Sequence, residues 1–242
     1  MNKYNWNDPI DCLKAVKQNG SNLQYVEEQT EEICLEAVKQ DGWALEYVDK
    51  QTYEICLEAV KQDGRLLQFI EEQTEEICME AVKQNSLTLK YVEEQTEEIC
   101  MEAIKREDGN ALQYVKEPTK EMCLIAVKKS GILLKYVEEQ TEEICLEAIK
   151  ENCWALKYVK EQTPELCLFA VKQNGWVLEC VEEQTPKICM EAIKESAYVL
   201  KFVKEKTYDI CLEAIKNCQD VLGFVDKQQF PEIHEIWRLM YE

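Results

Sequence analysis

The sequence predicts an all-α protein, an α-solenoid of about ten 22-residue helical hairpins closed by a C-terminal capping helix. Three observations carry that prediction. Cysteines stand at Cys12, Cys34, Cys56, Cys78, Cys100, Cys123, Cys145, Cys167, Cys189 and Cys211, with every step 22 residues except the 23 between Cys100 and Cys123. An alanine slot (Ala15 through Ala214) and a lysine slot (Lys17 through Lys216) keep the same register. Gly and Pro are scarce, seven and five in 242 residues, and the rest is rich in helix formers.

Residues 1–8, with Tyr4 and Trp6, read as a leading cap, 9–228 as the repeats and 229–242 as the closing cap. In the unit 30–50, Thr30 is an N-cap whose hydroxyl can accept a bond from a first-turn N–H. Glu31 and Glu32 follow at the positive end of the helix dipole. Pro9, Pro164 and Pro186 take the first helical position in other units, where proline is tolerated. At ~100° per residue, Ile33, Cys34, Leu35, Ala37 and Val38 form an apolar arc wide enough to pack on two sides. Lys39 lies in the last turn, and Asp41-Gly42 ends the helix in the manner of a C-terminal glycine. A second, shorter helix then sets Ala44, Leu45, Tyr47 and Val48 on one arc with Glu46 and Asp49 opposite. The extra residue of the 23-residue step falls in 106–110, between helices, where it leaves both apolar faces in phase. The stretch FPEIHEIWRLMYE reads as an eleventh long helix, with Ile236 and Trp237 in the alanine and valine slots. No unit can bury its apolar arc alone, but stacked neighbours can.

The stretch EEICLEAVKQDGWALEYV resembles the short tandem helical repeats of a domain-of-unknown-function family abundant in giant DNA viruses of amoebae and present in some bacteria. The resemblance covers roughly 9–228, with departures at Cys180, in an aromatic slot, and Asp11, in an isoleucine slot. It implies an α-solenoid of viral origin and brings no activity and no catalytic residue.

A net charge of −20 argues against general affinity for nucleic-acid backbones or anionic membranes. No apolar run reaches the ~18 residues that span a bilayer, and the N-terminus has no secretory core, so the expectation is a soluble, cytoplasmic protein that is not secreted. The cysteines lack any C-x-x-C pair, and one helix layer of ~9–10 Å exceeds the ~7 Å Cα limit for a disulfide. They read as small buried hydrophobes, with Cys153 and Cys218 expected to be accessible in the turns. His234 is the only histidine, and neither a nucleophile constellation nor a Gly-rich phosphate loop is present. The acidic EEQTEE phrase lacks the sharp turn of a calcium loop and reads as a solvated face. The lysine slot reads as dipole compensation with i,i+3 pairing of the Glu36–Lys39 kind. The expectation is therefore no enzyme, no metal and no cofactor.

One slot changes class from unit to unit between uniform neighbours: Ser21, Trp43, Arg65, Leu87, Asn110, Ile132, Trp154, Trp176, Tyr198 and Asp220. A rim position can simply tolerate anything. Trp, Tyr and Arg are also the usual anchors of recognition surfaces, which makes Trp43, Arg65, Trp154, Trp176 and Tyr198 the candidate partner-binding residues. The function expected is a protein–protein interaction scaffold or adaptor, host-directed if viral, for a partner with a basic surface. The alternatives are a self-associating rod of a virion or assembly body, and a nucleic-acid-binding repeat, which the charge disfavours.

Overall fold

The computed structural model describes residues 4–106 and 109–241, and every element in them is helical. Two compact units, 1–122 and 123–242, divide the chain. The first holds α1 (Pro9–Gln18), α2 (Glu31–Gln40), α3 (Tyr53–Gln62), α4 (Glu75–Gln84) and α5 (Glu97–Lys105). The division falls in α6 (Lys120–Lys129). The second unit holds α7 (Glu142–Glu151), α8 (Pro164–Gln173), α9 (Pro186–Glu195), α10 (Tyr208–Asn217) and α11 (Pro231–Tyr241). A short 3-10 helix follows each of α1 to α10, and α11 closes the series. Within each unit an α-helix packs on its sequence neighbours and on the 3-10 helices either side of it. This is the solenoid the 22-residue period predicts. Of the inserted stretch 106–110, Glu107 and Asp108 lie outside the described residues.

The caps form as the sequence predicts. Thr30 accepts from the Ile33 amide at 3.3 Å, and Thr74, Thr96, Thr141, Thr163, Thr185 and Thr207 repeat the bond. Thr52 is the exception: its Oγ1 is buried with no hydrogen-bond partner. Ile33, Cys34, Ala37 and Val38 are buried, as are their counterparts in the other units except the half-buried Asp11. Leu35 is only half-buried beside Glu36, so the arc is narrower than predicted.

The second helix of each unit is 3-10, not α. At three residues per turn, positions i and i+3 eclipse. In Gly175–Cys180, Gly175 and Leu178 align with Val181 in a buried row, while Val177 aligns with the half-buried Cys180. Trp176 and Glu179 make the third row, which faces solvent. An Asx residue caps six of the ten 3-10 helices, as when Asn174 accepts from the Trp176 amide at 3.0 Å.

The glycine at the junction has a different cause from the one predicted. Gly109 has the only positive φ (65°) among the described residues, so Gly42 is not a left-handed helix end. A side chain there would crowd the next unit: a Cβ on Gly64 would lie 2.6 Å from the Ala81 carbonyl oxygen, and Gly131 and Gly175 meet Ala148 and Ala192 in the same way. The glycine and alanine slots are therefore two sides of one seam, where a 3-10 helix meets the following α-helix.

Two ladders of amide side chains tie successive units together. Gln162, the Gln of an EQT joint, donates from Nε2 to the Cys180 carbonyl at 2.9 Å. Its Oε1 accepts from the Glu182 amide at 3.0 Å and from the Cys167 thiol at 3.5 Å. Gln29, Gln51, Gln73, Gln95, Gln140 and Gln184 make the same bonds. At the other end Gln62 accepts from the Gly42 amide at 2.8 Å and donates to the Val38 carbonyl at 2.6 Å, satisfying an open helix C-terminus. Gln40, Gln84, Glu151 and Gln173 each make part of this contact.

The C-terminal capping helix is built, and near the other end of the first unit Trp6 packs on Tyr25 with ring centroids 5.4 Å apart. In α11, Ile233 is buried, and Trp237 Nε1 donates to the Gln219 carbonyl at 3.1 Å. His234 lies near the Val225 carbonyl at 3.2 Å, a cap contact as expected. Ile236 is half-buried and Leu239 is 88% exposed, so only the first part of this helix covers the core.

Candidate functional site

The variable slot lies in the solvent row of the 3-10 helices. Trp43, Trp154, Trp176 and Tyr198 keep 36–43% of their surface exposed, although the residues on either side of each are buried, apart from the half-buried Cys153. The joint glutamines hold the C-terminal end of seven of the ten 3-10 helices, and the glycine seam holds the N-terminal end of five. The row is therefore a set of differing side chains on a repeated, fixed frame.

The structure gathers these residues in two separate groups. In the first unit, Trp43 meets the Phe69 ring edge-on at 5.8 Å, and the Arg65 guanidinium sits 5.8 Å from the Trp43 ring. Arg65 also forks onto Asp63, with Nη2 2.6 Å from Oδ2, and that bond holds the Asp63 carboxyl below its usual range. In the second unit, Trp176 meets Phe202 edge-on at 5.8 Å, with Lys201 Nζ 4.7 Å from both rings. Tyr198 points its hydroxyl toward Asp220 at 3.5 Å. The slot residue of one unit thus stacks on the aromatic slot of the next. For Trp154 that slot holds Cys180.

Reading this helix as α hid a second member of the row. Three residues after the variable slot come Lys90, Lys135, Lys157 and Lys201, directly above it in a 3-10 helix. Leu87, Ile132, Trp154 and Tyr198 therefore each carry a lysine in the same outward row, which a 100° period would set about 60° to one side.

The lysine ladder of the α-helices is structural. Lys39, Lys150 and Lys194 bond Glu36, Glu147 and Glu191 at 3.2, 2.6 and 2.6 Å. Glu36 also lies 3.6 Å from Lys17 of the preceding helix. These bonds, the one to Lys39 first, hold the Glu36 carboxyl below its usual range. Between α4 and α5 the outer helical face carries a shallow groove lined by Met79, Met101, Lys83, Glu97, Glu98 and Glu102.

The ten ladder cysteines are buried, as predicted. Burial first, then the Asp49 and Glu93 carboxylates, pushes the Cys34 and Cys78 thiols up to about 11. At pH 8 each is thiolate only about one part in a thousand, and thiolate is the reactive form. Cys153 and Cys218 are half-buried, less accessible than expected, and Cys180 joins them. A thiol reagent at pH 8 is expected to titrate these three in the native protein and the ladder only after unfolding. Rapid reaction of ten or more would contradict the buried ladder.

Among the described residues no group of three or more His, Cys, Asp or Glu is placed to hold a metal ion. No helix among them is long and apolar enough to cross a membrane.

The fold is that of an all-α solenoid of tandem hairpins. The model of a domain of unknown function (DUF4116) matches residues 8–53, 30–74, 52–96, 74–118, 119–163 and 141–185, and the chain belongs to this family. Each match spans about two repeats, and successive ones overlap by one unit. They fall in two runs that meet after Pro118, which stands in the slot of the joint glutamine. No curated protein and no solved structure matches the chain.

Proposed function

We propose that the protein is a non-enzymatic interaction scaffold that binds a protein partner along the solvent row of its 3-10 helices. The observation that carries this is the combination of an invariant frame and a variable exposed row. Trp43, Trp154, Trp176 and Tyr198 stay 36–43% exposed in a slot where other units put Ser21, Arg65, Asn110 or Asp220. A structural position under packing constraint would keep one residue type, as the Ala15–Ala214 slot does. Large aromatic anchors on a rigid backbone are the usual energetic centre of an interface. A reducing, cytoplasmic compartment suits the free thiols. The family resemblance favours a host protein as the partner.

Replacing Trp154, Trp176 and Tyr198 with alanine is expected to leave helix content and a cooperative unfolding transition in place while abolishing capture of the partner. Undiminished capture by the folded variant would sink the proposal. Light scattering of the purified chain separates it from a self-associating rod: a monomer supports the scaffold, and polymers that grow with concentration support the rod.

A further inference from the structure

The chain carries 48 acidic and 28 basic residues, so a lysine without a carboxylate partner is unexpected. Lys135, Lys157 and Lys201 form no ion pair among the described residues. Their ammonium groups lie over aromatic rings instead: Lys135 is 4.6 Å from the Tyr136 centroid, Lys157 is 5.9 Å from Tyr158, and Lys201 is 4.7 Å from Trp176 and Phe202. A ring attracts the charge without neutralising it and leaves the N–H donors open to solvent. The same row holds Ile132, Trp154, Trp176 and Tyr198.

Charge is sorted locally. Over the four stretches 131–138, 153–160, 175–182 and 197–204 there are five lysines against three glutamates. The remaining lysines, Lys160 and Lys204, are anchored on the Glu138 and Glu182 carbonyls at 2.6 and 2.7 Å. The acids within these stretches are Glu138, Glu179 and Glu182; Glu139, Glu161, Glu183 and Glu205 follow one residue past their ends, and Asp220 lies beyond Tyr198. A basic and aromatic strip on so acidic a chain attracts an acidic, partly apolar ligand and repels the rest of its own surface.

Spacing narrows the ligand further. Stacked helices lie ~8–10 Å apart. A polyproline II segment advances ~3.1 Å per residue with three residues per turn, so one turn covers ~9 Å. One turn of an extended peptide therefore meets one unit. Lysines at three of four successive units, with Glu179 at the other, call for carboxylates spaced by three residues and a neutral side chain at one turn.

Resting on the interaction role above, we propose that the 3-10 face of residues 132–204 binds an acidic, extended peptide segment with carboxylates spaced by three residues, a neutral side chain at the turn that meets Glu179, and apolar side chains between.

The test uses the full chain and a synthetic peptide of three Glu-Leu-Pro triplets with one Gln-Leu-Pro triplet at the turn that meets Glu179, read by tryptophan fluorescence. Saturable binding is expected, weakened by raising NaCl from 50 to 300 mM. Lys157→Glu with Lys201→Glu should weaken it at least tenfold without changing the melting temperature, whereas Lys39→Glu should leave it within twofold. The proposal is overturned if the wild-type chain ignores the peptide, if Lys-Leu-Pro triplets bind as well, or if the double variant binds unchanged. It is also overturned if a twelve-residue oligothymidylate binds more tightly, which marks a nucleic-acid surface. Concentration-dependent dimers that Lys157→Glu dissolves would instead make a second copy the occupant. If the peptide fails while the Trp154, Trp176 and Tyr198 variant still loses a captured partner, the scaffold role stands and only this partner chemistry falls.

Discussion

Gln162→Ala destabilises the protein by about 2–3 kcal/mol, measured by urea unfolding, although Gln162 lies in a surface joint and carries no charge. Its side chain serves four groups: the Cys180 and Leu156 carbonyls at 2.9 and 3.3 Å, the Glu182 amide at 3.0 Å and the Cys167 thiol at 3.5 Å. Removing one partner from a buried polar contact leaves the others unsatisfied at ~1–3 kcal/mol each, and water entering the exposed side of the joint recovers part of that. Gln162→Glu should be no better at neutral pH, since it replaces the donor to Cys180 with a second oxygen. A natural comparison stands in the last joint, where Lys206 occupies the slot and, among the described residues, hydrogen-bonds only the Val203 carbonyl. Phe224, whose carbonyl a glutamine here would bond, is 39% exposed, whereas Phe69 and Phe202 are half-buried. A loss below ~0.5 kcal/mol for Gln162→Ala would show that the ladder is decorative.

Gly175→Leu should destabilise by roughly 3 kcal/mol, the upper end of ordinary overpacking costs. Any Cβ at Gly175 falls against the Ala192 carbonyl oxygen and 3.1 Å from Glu195 Cβ, and the backbone of α9 cannot yield as a side-chain tip can. Other units carry Ser86, Cys153 and Ala197 in this slot, so one or two extra atoms are absorbed by a small widening of the seam. The response should therefore be graded: Gly175→Ala mild, Gly175→Leu severe. Equal unfolding midpoints for the two variants would place the seam elsewhere.

The period, the caps and the buried arc of the long helices were legible in the sequence because each is local. A threonine cap needs only the next three residues, and Ile33, Cys34, Ala37 and Val38 reveal their face within one and a half turns. The short helices were legible as helices but not as 3-10 helices. Over six residues the buried letters of GWVLEC fit a 100° step nearly as well as 120°; the narrower step sets Trp176 and Glu179 about 60° apart, and the wider one eclipses them in one outward row. That difference decided the candidate site: the variable slot was found from its irregularity, but its lysine companions were not. The joint glutamines escaped for another reason. Gln in EEQT looks like any polar turn residue, and its partners lie 18 and 20 residues ahead in the next unit. Repetition of the Gln at the 22-residue period was the available clue.

The division of labour between frame and row is tested most directly by amide hydrogen exchange of the chain with and without its captured partner. The account predicts added protection at 153–158, 175–180 and 197–202, with the outward faces of α4, α5 and α7 to α9 unchanged. Protection confined to those α-helices, above all at the Met79 and Met101 groove, would contradict it.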